Sequence, residues 1–95
     1  MNVMKRLTPY TGLRVLISGG AAGIGESIAA AYLEIGARVH VCDVSEQAIA
    51  QFRERYPEAL ATLADVSDSA QIKRVFEIQQ DWVDGLDVLI NNAGI

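Results

Sequence analysis

Ser18 is followed by glycines at positions 19, 20, 23 and 25 in the stretch SGGAAGIG, and an aspartate, Asp43, stands about 20 residues further on. A segment stripped of side chains in this way lets another molecule approach the main chain closely. If a helix begins inside it, the first amides are unpaired and the positive end of the helix dipole favours an anion such as a pyrophosphate. Gly19 suits the tight turn out of a preceding strand, while Gly23 and Gly25 remove Cβ atoms where a phosphate, or the helix packing on a sheet, needs room. A carboxylate at Asp43 is placed to accept hydrogen bonds from both hydroxyls of a ribose.

The pattern points to a dinucleotide, with NAD preferred over NADP. Asp43 repels a 2′-phosphate, and its neighbours Ala22 and Val44 bring no compensating cation; Arg38 stands at the other end of the same segment. Ala22, Ile24 and Val44 are taken into the candidate site with Gly19, Gly23, Gly25 and Asp43. Two plainer readings stand beside this one. The glycines serve only a turn and a close helix contact, or Asp43 is a solvated residue capping a helix that starts near Ser45.

These residues have meaning only on particular elements, and the hydrophobic pattern supplies them. Leu13 to Ser18 is a branched apolar run closed by glycine, as in a strand buried on both faces. Ile24, Ile28, Tyr32 and Ile35 then recur at spacings of four, four and three, one face of a helix that Gly36 stops. Ala37 to Cys42 alternates as a second strand. Ser45 is placed to cap a helix carrying Ala48, Ile49, Phe52 and Tyr56 on one face up to Pro57.

A third strand is expected over Ala59 to Ala64, and Ser67 is expected to cap a helix bearing Ile72, Val75, Phe76, Gln79 and Trp82 as far as Gly85. Leu86 to Asn91 is the fourth strand. Strands alternating with helices in this way imply parallel pairing through right-handed crossovers. The expected fold class is α/β, a Rossmann-like, doubly wound parallel sheet of about four strands in the order 3-2-1-4 with three helices, the whole of 1–95 forming one partial dinucleotide-binding domain.

Composition narrows the partners. With 95 residues, 51% of them hydrophobic, and two prolines, the chain has enough apolar surface for one core. The formal net charge is −4 and the basic residues are scattered, which argues against nucleic acid. Cys42 is the single cysteine, so no disulfide framework exists and a reducing, cytoplasmic setting is expected. No apolar run reaches the roughly 20 residues of a membrane span, and the N-terminal stretch lacks the pattern of a signal peptide.

The spacing within the glycine segment, Gly19, three residues, Gly23, one residue, Gly25, together with NNAG at Asn91, Asn92, Ala93 and Gly94, resembles the short-chain dehydrogenase/reductase family. That family carries TGxxxGxG at the first turn and NNAG after the fourth strand; Ser18 replaces the usual threonine and keeps the hydroxyl. The resemblance implies that Asp65, in the stretch ADVSD, and Val66 border the adenine, and that Asn91 to Gly94 support the sheet and line the adenosine ribose. By residues alone, Asp65 is equally a carboxylate leading into a helix. The resemblance also implies an oxidoreductase of alcohols or carbonyl compounds that is a homo-oligomer at full length.

The proton-transfer residues of that family, a serine and a YxxxK pair, follow NNAG. Tyr10, Tyr32 and Tyr56 are followed four residues later by Arg14, Gly36 and Leu60, so no catalytic residue is assigned. His40 reads as a packed or edge residue and Cys42 as core. Asp81, Asp84 and Asp87 read as turn and helix-end solvation without a metal pattern. The chain is therefore expected to be the cofactor-binding part of a longer dehydrogenase. The alternatives are a non-catalytic nucleotide-binding module and an S-adenosylmethionine methyltransferase, which shares the glycine turn and the acid but leaves NNAG unexplained.

Overall fold

A computed structural model of the chain describes residues 12–93. The elements run β1 (Arg14–Ser18), α1 (Gly23–Glu34), β2 (Arg38–Asp43), α2 (Glu46–Arg55), β3 (Leu60–Leu63), α3 (Ser69–Val83) and β4 (Val88–Asn91). All strand pairs are parallel and the sheet order is β3-β2-β1-β4. The register sets Ser18 beside Cys42 on one side and Asn91 on the other, so the ends of three strands finish level.

Both faces of the sheet are covered. Val15, Ile17, Val39 and Val41 turn to α1 and α2, where Ala29, Ile49 and Phe52 complete one core. Leu16 and Cys42 turn the other way and meet Ala64 and Val75, the latter on α3. This is why β2 is buried from Val39 through Cys42 although its sequence alternates.

The first helix differs from its expected face. Ile24 is 72% exposed and Ile35 is also exposed, while Gly25 and Ala29 face inward with Ile28, Tyr32 and Leu33 against the core. Ile24 lies in the first turn, beyond the end of the sheet, and Ile35 is the C-cap, so neither has strand residues beneath it. The stop at Gly36 is found, with φ +87° and Ala37 N–H donating to the Tyr32 carbonyl.

Ser45 caps α2 by accepting the Ala48 N–H at 3.1 Å. The cap of α3 is Asp68 in place of Ser67: Asp68 Oδ1 accepts from the Ala70 and Gln71 N–H groups, while the Ser67 hydroxyl donates to Asp65 Oδ1. An Asx turn at Asp65 delays the helix by one residue. Phe76, expected inward, is exposed, and β3 and β4 are shorter than their apolar runs.

His40 is wholly buried, not at an edge. Gln79 Oε1 can only accept, so His40 Nδ1 donates to it at 2.9 Å and Nε2 accepts from the Thr62 hydroxyl at 2.8 Å. Gln79 Nε2 in turn donates to the Gly85 carbonyl. Asp87 is more than turn solvation: its carboxylate accepts from the Arg14 Nε at 2.9 Å and Nη2 at 3.0 Å, and the Arg14 guanidinium also reaches the Asp84 carbonyl.

Candidate functional site

The turn between β1 and α1 is built by glycines with different tasks. Gly19 (φ +62°) and Gly23 (φ +60°) take left-handed conformations that side-chain-bearing residues rarely adopt. Gly25 is buried, and a Cβ there would run into the Gly19 carbonyl and come within 2.8 Å of Asn92 Nδ2. Gly25 thus lets the helix sit against the turn, whereas nothing lies within 4 Å of where a Cβ on Gly23 would point. The N-cap, Ala22, is extended and makes no side-chain cap bond. Ala22, Gly23 and Ile24 are exposed, so the amides of the first helical turn are open to an anion.

One charge stands near that helix end. Glu26 is acidic in the first turn, but its Oε2 accepts from Arg55 at 2.8 Å and from the Tyr56 hydroxyl at 3.2 Å. Arg55 compensates the charge, which the spacing in sequence does not reveal.

The turn is fastened to the segment after β4. The buried Ser18 hydroxyl accepts from the Asn92 and Ala93 N–H groups, each at 3.1 Å, and donates to Asn91 Oδ1 at 3.1 Å. Asn92 Nδ2 donates to the Gly19 carbonyl at 3.0 Å. Ser18 thus uses its one donor and both acceptor positions. Of the NNAG residues, Asn92 acts through the turn, Asn91 and Ala93 border the open space beyond it, and Gly94 lies outside the described residues.

Asp43 ends β2 and is half-buried. Its Oδ2 accepts the Ala21 N–H at 3.3 Å and its Oδ1 accepts the Ser45 N–H at 3.1 Å. It therefore braces the glycine turn, and the capping of α2 falls to Ser45.

These parts enclose a cleft of about 580 Å³ at the carboxyl ends of the strands, within the range of sites for small molecules and cofactors. Gly19, Asp43, Val44, Asp65, Val66, Asn91 and Ala93 come together on its walls. Ala22, Gly23 and Ile24 are not among its lining residues and stand at the helix end, and Gly25 is packed away. Cys42, Ala64 and Ser67 also line it and were not anticipated there. They follow from neighbouring positions in the same strand ends and loop. Ser67 holds the Asp65 carboxylate below its ordinary pKa by donating from both hydroxyl and N–H.

The remaining candidates offer no reactive group. Burial pushes the Cys42 thiol up to about 11, which leaves it protonated at neutral pH. Burial lowers the pKa of His40 and keeps it neutral. Among the described residues no three His, Cys, Asp or Glu side chains converge as metal ligands.

The glycine turn, the acid ending β2 and the asparagine segment ending β4 all lie within the span that a family model matches. The short chain dehydrogenase model aligns with residues 14–95. The chain belongs to the short chain dehydrogenase family. A short chain dehydrogenase/reductase of Colletotrichum higginsianum is 36% identical over 95 residues, covering 96% of this chain and 35% of that protein.

Among solved structures, an apo SCOR enzyme from Clostridium thermocellum superposes with a TM-score of 0.81 at 32% identity, covering 87% of this chain and 34% of that one. A 3-ketoacyl-(acyl-carrier-protein) reductase from Brucella melitensis, complexed with NADH, does so with a TM-score of 0.79 at 27% identity, covering 84% and 34%. The chain thus spans about a third of the length of these relatives. No helix among the described residues is long and apolar enough to cross a membrane.

Proposed function

We propose that the chain is the cofactor-binding part of an oxidoreductase that uses NAD in preference to NADP and acts on an alcohol or carbonyl compound. The observation that carries the reading is the convergence of the glycine turn and Asp43 on one cleft at the strand ends. The open flank of Gly23 and the uncapped first turn of α1 fit a pyrophosphate. Asp43 keeps acceptor positions for ribose hydroxyls beyond its two main-chain bonds. Asp65 and Val66 border the base, and Asn91 and Ala93 close the opposite wall.

When bound, the nicotinamide would carry the hydride. The chain's own residues bind and orient: the turn holds the phosphates, Ser18 and Asn92 keep it in shape, and Asp43 selects the ribose. No Lys or Arg lines the cleft among the described residues, so nothing there offsets a 2′-phosphate beside Asp43. Proton transfer to the substrate is assigned to residues of the parent protein beyond position 95, in keeping with the absence of YxxxK in this sequence. The buried, unpaired Cys42 accords with a reducing, cytoplasmic setting.

Calorimetric titration with NADH, NADPH and S-adenosylmethionine tests the reading. NADH binds, NADPH binds at least about tenfold more weakly, and S-adenosylmethionine does not bind. Equal affinity for the two dinucleotides would remove the NAD preference, and no NADH binding would remove the cofactor. Sequence beyond position 95 containing a serine and YxxxK would establish the enzyme; a parent lacking both would make it a binding module.

A further inference from the structure

The stretch from Ala64 to Ser67 lines one side of the cleft, and its main chain leaves the sheet at a definite point. Ala64 N–H still pairs with the Asp43 carbonyl at 2.9 Å, the last bond of the β2 and β3 ladder. Asp65 N–H, one residue on, has no strand partner. It donates instead to Gln71 Oε1 at 2.8 Å. Gln71 Nε2 donates to Asp68 Oδ2 at 3.3 Å. Turning the amide over would set donor against donor at Asp65 and carbonyl against carboxylate at Asp68, so its orientation is determined.

Asp68 and Gln71 stand at the two positions of a capping box, in which the Gln side chain ordinarily returns to the N–H of the N-cap residue. Here the Asp68 N–H is taken by the Asp65 carbonyl at 3.1 Å. Helix capping therefore does not use the Gln71 carbonyl, which reaches three residues further back to Asp65. The Asp65 side chain is held as well: its Oδ1 accepts both donors of Ser67, and its Oδ2 has no hydrogen-bond partner among the described residues.

We propose that Gln71 is a positioning residue for cofactor selection, fixing the Asp65 main chain so that the free Oδ2 meets an exocyclic amino group on the bound base. This rests on the cofactor reading above. A base carrying an amino group donates to that carboxylate oxygen, and one carrying a carbonyl at the same place is repelled. The selectivity for the amino-bearing base depends on Gln71, although Gln71 touches no part of the ligand.

The test compares NADH with its deaminated analogue, nicotinamide hypoxanthine dinucleotide in the reduced form, by fluorescence titration of the 95-residue chain. Wild type prefers NADH by about tenfold or more. Gln71→Met, which removes both bonds, narrows the preference to within about threefold, with NADH weakened and the analogue little changed. Gln71→Glu keeps the acceptor for Asp65 N–H and retains most of the preference. An unchanged preference in Gln71→Met, or equal loss in the Met and Glu variants, overturns the proposal. Wild type that binds both dinucleotides without preference also overturns it while leaving the cofactor reading standing. Wild type that binds neither overturns the cofactor reading and the proposal together.

Discussion

The Ser18 hydroxyl accepts the Asn92 N–H at 3.1 Å, joining the end of β1 to the segment after β4 across most of the chain. The same oxygen serves Ala93 N–H and donates to Asn91, so one small side chain keeps three groups of the cleft wall in register. Ser18→Ala strands these partners at a buried point and is expected to destabilise the fold by about 1–3 kcal/mol. Urea unfolding measures this. Ser18→Thr, which keeps the oxygen, stays close to wild type, and a melt of Ser18→Ala equal to wild type would show the knot to be dispensable.

Asp43 braces the glycine turn and is proposed to hold the ribose, and its variants separate the two. Asp43→Ala removes the ribose acceptor and the brace on Ala21, weakening NADH binding by about 1–3 kcal/mol. Asp43→Asn keeps one carbonyl oxygen for the Ala21 brace, loses the bond to the Ser45 N–H because its amide NH2 cannot accept, and loses the charge. It should fold with a stability loss of about 1 kcal/mol and bind NADPH better than wild type does. Calorimetry with both dinucleotides reads the two effects, and unchanged NADH affinity in Asp43→Ala would leave Asp43 with the brace alone.

His40 makes stability depend on pH near neutrality. Its pKa is lowered in the folded chain by burial, against about 6.5 when unfolded, so the unfolded chain binds the extra proton more readily. The contribution is complete above about pH 6.5 and is lost as pH falls toward the lowered folded value. His40 is the only histidine, so the slope of urea stability between about pH 7 and pH 5 is ascribed to it. His40→Gln should flatten that slope; a variant with the same slope as wild type would refute the assignment.

Asp87 acts at lower pH. The Arg14 side chain and N–H hold its carboxyl at about 2, below the usual 3.8. The folded pKa is depressed, so the stabilisation is present above about pH 4 and disappears as pH falls through about 2. Both groups are solvent-exposed, and the effect should weaken with added salt. Acid titrations of Asp87→Asn should show a shallower loss of stability in that window than wild type, at low ionic strength above all.

Among the described residues β4 ends the sheet, and Leu89 on it is 54% exposed. An unpaired parallel edge with an apolar side chain is a template for another chain. The 95-residue chain should associate with rising concentration in sedimentation velocity experiments, and Leu89→Lys should shift it toward monomer. Wild type that remains a cooperative, fully soluble monomer would contradict this.

The element order, the parallel sheet, the places of Gly19 and Asp43 at strand ends and of Gly23 at the start of α1 were legible in the sequence because period, glycine spacing and capping residues are local signals. The face of α1 was misjudged at Ile24 and Ile35 because periodicity gives a direction around a helix and not where the sheet beneath it stops. The start of α3 slipped from Ser67 to Asp68 because two adjacent residues could each cap, and the competing bond to Asp65 decides between them. Likewise, the Arg14 to Asp87 pair, the His40 to Gln79 bond and the Ser18 knot join residues far apart in the chain.

The sequence by itself determined that a glycine-rich turn would follow β1 and that an acid would end β2, since these depend on neighbours within a few positions. Only the tertiary structure decided that Gly25 is packed against Asn92 while Gly23 stays open, and that Asp43 braces the turn. Those outcomes depend on which atoms meet across the sheet, and no local pattern encodes a distance between segments 20 to 70 residues apart.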